Sequence, residues 1–144
     1  MVGMSIAPAG GMIAEEIMTH NVATVRSDER LSHAVSTLVE LPIRHLPVVD
    51  DGRLVGMLSD RDMRELGAYD VTLEKARQLS SMTVSDVMTR NVVTANPTTE
   101  VPDLIQSMLE ARVGAVPVVE AGTQRLLGIV SYADLLRAAA PRFE

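Results

Sequence analysis

The chain has 144 residues, 47% of them apolar and 22% charged, a size and balance that suit a compact globular protein with a sizeable core. Its net charge of −6 and its three aromatic residues, Tyr69, Tyr132 and Phe143, speak against a nucleic-acid partner, which needs clustered Lys and Arg or an aromatic stacking platform. With no Cys, disulfides and thiolate metal sites are excluded, and the expected location is the cytoplasm.

In chain order, residues 1–12 read as a flexible N-terminal segment with no Lys or Arg to make a signal peptide. No later apolar run approaches the ~20 residues of a membrane span. VATV (22–25) is a short β-prone run. LSHAVSTLVE (31–40) places Leu31, Ala34, Val35, Leu38 and Val39 on one helical stripe, with Ser27 or Asp28 as the expected cap. LPVVDDGRLVGML (46–58) reads as two strands around an Asp-Gly turn. A second helix is expected from Ser59 to Gly67, followed by a polar, partly helical connector over 68–84.

The chain then repeats itself. IMTHNVATV (17–25) returns 70 positions later as VMTRNVVTA (87–95), and LPVVDDG (46–52) returns as VPVVEAG (116–122). The helical stripe returns as Val101, Leu104, Ile105, Met108 and Leu109, with Pro102 tolerable in the first turn. Two extra turn residues shift the register, so that GMLSDRDM (56–63) corresponds to GIVSYADL (128–135). Each copy has the order β-α-β-β-α. The expected fold class is α+β: two repeats, 13–67 and 85–140, each with a three-stranded mixed sheet, packed as one pseudo-two-fold module because ~50 residues bury little alone. The methionines 18, 57, 63, 88 and 108 read as core filler.

Gly-x-x-Ser-x-x-Asp, present twice, supports two readings. Ser59 with Asp62, and Ser131 with Asp134, match a capping box, in which the serine accepts from the third N–H and the acid reaches back to the cap N–H. The same groups suit a ligand: a helix N-terminus favours an anion, a hydroxyl can donate to a phosphate or ribose oxygen, and a carboxylate can accept from a ribose diol. A catalytic constellation is not apparent. The histidines 20, 33 and 45 lack metal-ligand spacing, and there is no thiol nucleophile and no P-loop. The protein is therefore expected not to be an enzyme, and no metal is expected.

The ordered set EEIMT (15–19) and SDVMT (85–89), RHLPVVDDGRLVGMLSDRD (44–62) and VPVVE with LLGIVSYAD (116–134) resembles the tandem CBS-domain pair, or Bateman module, in a stand-alone form. The resemblance implies a regulatory module that binds adenosine-type ligands (AMP, ADP, ATP or the S-adenosylmethionine class) in clefts between the repeats, requires no cofactor, forms a homodimer, and signals to a downstream protein. It implies two site sets that take their motif from one repeat and their strand residues from the other. One would join Thr24, Arg44 and His45 with Ser131 and Asp134. The other would join Ser59 and Asp62 with Thr94, Gly114 and Ala115; Arg61, inside the first motif, either supplies positive charge to this set or is a surface helix residue. Arg44 suits a phosphate bidentately, whereas Gly114 and Ala115 bring no charge. The rival reading is a ligand-free interaction or scaffold module whose serines and aspartates only cap helices.

Overall fold

A computed structural model describes residues 11–143; the expected flexible segment 1–12 lies outside the described residues except for Gly11 and Met12. The chain forms two compact bodies, one made of Val22–Val92 and one of the N-terminal residues to Asn21 together with Val93 onward.

In the body 22–92, helix α2 (Leu31–Glu40) is followed by a hairpin of β1 (His45–Asp50) and β2 (Arg53–Ser59), then by the short helices α3 (Asp60–Glu65), α4 (Leu73–Ser81) and α5 (Val84–Val87). The hairpin turns as the Asp-Gly pair dictates: Asp51 and Gly52 both have positive φ, 51° and 82°, the two-residue turn whose twist matches antiparallel strands. Its core gathers Leu31, Ala34 and Leu38 of α2, Leu46, Val48 and Leu58 of the hairpin, Met63, and Val84 and Met88.

The other body contains α1 (Ala14–Ile17), α6 (Val101–Ala111), the hairpin β3 (Ala115–Val119) and β4 (Leu126–Ser131), and α7 (Tyr132–Ala139), ending in a 3-10 turn at Ala140–Phe143. Ala14, Leu104, Met108, Val116, Val118 and Val130 form its core. The N-terminal helix is thus packed with the second sequence copy, and α5 with the first.

Three expectations are corrected. Among the described residues each sheet has two strands, not three. The expected first strands shrink to single parallel bridges, Val25 to Val48 and Ala95 to Val118. Val25 N–H donates to the Pro47 carbonyl and Val49 N–H to Val25, and Ala95 N–H donates to Pro117 and Val119 N–H to Ala95. Extending either ladder toward the N-terminus needs a donor at Pro47 or Pro117, which have none. The cap of α2 is Arg30 rather than Ser27 or Asp28; Ser27 is occupied elsewhere, its N–H and hydroxyl both donating to Asp50 at 3.0 and 2.6 Å. Those bonds hold the Asp50 carboxyl below its usual range. The helical stripes are also narrower than expected: Val39, Ile105 and Leu109 are exposed. Of the methionines, 57, 63, 88 and 108 are buried and Met18 packs partly buried on its core.

Candidate functional site

The motif glycines are where each body is closed. A side chain on Gly128 would lie 2.6 Å from Met18 Sδ and 2.8 Å from the Thr19 carbonyl oxygen, and one on Gly56 would lie 2.5 Å from Met88 Sδ and 2.9 Å from the Thr89 oxygen. Only a residue without Cβ admits this approach. Across it the main chains pair reciprocally, Thr19 with Ile129 and Thr89 with Met57, at 2.8 to 3.0 Å. The Met-Thr segments that open each copy are therefore docked beside a Ser-x-x-Asp motif, 17–19 beside Ser131–Asp134 and 87–89 beside Ser59–Asp62.

Both motifs form capping boxes. In the body 22–92, Ser59 Oγ accepts from Asp62 N–H at 3.0 Å and Ser59 N–H donates to Asp62 Oδ2 at 3.1 Å. Asp62 is half-buried, and its Oδ1 receives no hydrogen bond among the described residues. Asp60 alongside is engaged, accepting from Tyr69 hydroxyl at 2.7 Å and pairing with Arg64 at 3.0 Å. Burial and that bond push the Tyr69 hydroxyl up to about 12. Arg61 points outward and pairs with Glu65 at 3.2 Å.

In the other body the same motif is wired differently. Asp134 is the one buried charged residue among those described, 5% exposed. Its Oδ2 accepts from Ser131 N–H at 2.8 Å and Ser131 hydroxyl at 3.0 Å. Its Oδ1 accepts from Thr19 hydroxyl at 3.1 Å and Arg137 Nη1 at 3.0 Å.

Thr24, Arg44 and His45 belong to the body of Ser59 and Asp62, and Thr94, Gly114 and Ala115 to that of Ser131 and Asp134. Within each body the hairpin brings strand entrance and motif together. His45 lies opposite Ser59, and Ala115 opposite Ser131; the carbonyls of Arg44 and Gly114 accept from Asp60 and Tyr132 N–H at 2.8 and 3.1 Å. The Arg44, Thr24 and Thr94 side chains are exposed, Gly114 is half-buried and Ala115 is buried. His45 is half-buried, and loss of hydration pulls its pKa below the ordinary value; Arg44 adds to that effect, while Asp62 and Asp60 oppose it. No group of His, Asp or Glu among the described residues could hold a metal ion.

Thr19 and Arg137 escape the sequence reading. Arg137 carried a faint signal, a basic residue three positions after an acid on one helix. Thr19 carried none, because 115 residues separate it from its partner.

The family model for the CBS domain matches residues 14–69 and 84–141. A CBS domain-containing protein of Bacillus subtilis, YhcV, is 32% identical over 84% of this chain and 81% of its own length. The structure of CBSX2 in complex with AMP is 28% identical with a TM-score of 0.78, covering 93% of this chain and all of that one. The CBS domain pair of protein MJ0100, in complex with 5'-methylthioadenosine and S-adenosyl-L-methionine, is 29% identical with a TM-score of 0.77 over 91% of this chain and 98% of that one. The chain spans only 23% to 46% of the length of the first curated relatives it matches, and the enzymes among them are covered over 23%.

Proposed function

The chain belongs to the CBS-domain family as a tandem pair, and on that premise we propose that it is a regulatory module that binds an adenosine-type ligand, of the AMP or S-adenosylmethionine class, and passes the bound state to another protein. The observation that carries this reading is the full-length similarity to a pair that holds AMP and to one that holds methylthioadenosine and S-adenosylmethionine. The half-buried Ser59 and Asp62 support it, because the Ser59 hydroxyl proton and three of the acceptor positions of the Asp62 carboxylate are not used by the described residues. A sugar diol needs such a pair.

Two candidate site sets enter the proposal, Ser59, Arg61 and Asp62 with Thr94, Gly114 and Ala115, and Ser131 and Asp134 with Thr24, Arg44 and His45, and the first is the one proposed to hold the ligand. The proposed role is binding, without catalysis. A ligand-free scaffold remains the competing reading, favoured by one observation: both motifs do cap their helices. Capping engages Ser59 Oγ and one Asp62 oxygen only, so it leaves room for a ligand there. We further propose a second copy of the chain as the partner of the exposed apolar residues Val39 on α2 and Ile105 and Leu109 on α6.

Thermal unfolding with AMP or S-adenosylmethionine tests the ligand reading. At about 100 times Kd a ligand adds about 2.7 kcal/mol to stability, several degrees in Tm for a domain of this size. Asp62→Ala is expected to lose that shift. No shift with either compound would leave the scaffold reading standing.

A further inference from the structure

The two Ser-x-x-Asp motifs match in sequence and differ in what their atoms have left to offer. An ionised carboxylate has about four lone-pair positions. At Asp134 four donors fill them: Ser131 N–H and hydroxyl on Oδ2, Thr19 hydroxyl and Arg137 on Oδ1. The Ser131 hydroxyl proton is spent in the same place. At Asp62 one donor among the described residues, Ser59 N–H, is present, and the Ser59 hydroxyl proton goes to none of them.

The differences trace to two positions. Arg137 stands three residues after Asp134 where the first repeat has Glu65, which cannot donate to a carboxylate and instead holds Arg61. Thr19 turns its hydroxyl onto Asp134, whereas its counterpart Thr89 contributes only main-chain bonds to Met57. Asp134 is buried as a result, while the Arg137 side chain that holds it is 71% exposed. Its guanidinium nonetheless pairs with a buried carboxylate, and displacing it leaves that charge one donor short, which is costly.

We propose that Arg137, assisted by Thr19, is a clasp that closes the Asp134 motif to ligand, so that the chain takes one adenosine-type ligand, at Asp62, while its second motif is shut. Arg137 is a positioning residue: it acts by occupying the acceptor a sugar diol would need. This rests on the adenosine-ligand reading and adds to it which of the two motifs is in use and what closes the other. A bound diol must displace both the arginine and the threonine from Oδ1, and burial of Asp134 means the released carboxylate meets no water until the clasp has opened.

Titration calorimetry with AMP and with S-adenosylmethionine on the full chain tests it through stoichiometry. Wild type is expected to bind about one ligand per chain. Arg137→Ala is expected to raise the count to about two, Arg137→Lys, which keeps the cation, to leave it at about one, and Asp62→Ala in the Arg137→Ala background to return it to about one. Thr19→Val offers a second route to opening that leaves the exposed arginine in place. Two ligands per wild-type chain, or a count of one in Arg137→Ala and Thr19→Val alike, would overturn the clasp with the ligand reading intact. Absence of binding heat in every variant with both compounds would overturn the ligand reading itself, and the clasp with it.

Discussion

At the residue scale, two aspartates in the same motif have been given different surroundings. Asp134 sits in a closed set of donors and is buried; Asp62 has one donor among the described residues and is half-buried. His45, opposite Ser59 in the hairpin, gives the Asp62 side a pH dependence. Burial lowers its pKa from 6.5, so the unfolded chain takes up the proton before the folded one does. Stability is then fully present above about pH 6.5 and falls as the pH drops from there through the folded value. Urea unfolding followed from about pH 7 to about pH 5 should show wild type losing midpoint concentration faster than His45→Gln. Parallel curves for the two would mean that His45 is hydrated in the fold. The serine and the aspartate were legible as a pair from their spacing, with both their uses open. Which atoms remain free was not, because that depends on Thr19 and on which acid finds an arginine one turn along.

At the element scale, the hairpins and helices follow from local signals. The Asp-Gly turn, the alternating apolar strands and the helical stripes all appear where the spacing puts them. What failed to appear is the third strand of each sheet, and the reason is equally local: Pro47 and Pro117 stand where a parallel ladder needs a donor. The stripes lost their outer edge: Leu31, Ala34 and Leu38, and Leu104 and Met108, are buried, while Val39, Ile105 and Leu109 lie outside. The glycine that opens each motif has a purpose no local pattern reveals, since the Met-Thr segment it admits comes from a distant part of the chain. Gly128→Ala and Gly56→Ala should each cost about 1 to 3 kcal/mol, because the new methyl meets a carbonyl oxygen as well as a flexible methionine. Equilibrium urea unfolding measures this; a loss below about 0.5 kcal/mol at both sites would show that the segments yield without cost.

At the scale of the whole molecule, the repeat in sequence and the bodies in space are offset. Residues 14–19, which open the first copy, pack with the second copy, and 84–89 pack with the first. The 70-residue repeat made the two-copy organisation legible, but the exchange is carried by contacts between segments far apart in sequence, Thr19 with Ile129 and Thr89 with Met57, and has no periodic signature. The apolar residues left outside are expected to be covered by a second copy of the chain. Light scattering should then give a dimer for wild type and a monomer for the variant with both Val39→Glu and Leu109→Glu, and a monomeric wild type would refute that partner. The central claim is that the open Ser59 and Asp62 pair holds an adenosine-type ligand. Its most direct measurement is calorimetric titration of AMP and S-adenosylmethionine into wild type and Asp62→Ala: saturable binding to wild type that is lost in the variant is the expected result, and equal binding to both, or none to wild type, would contradict it.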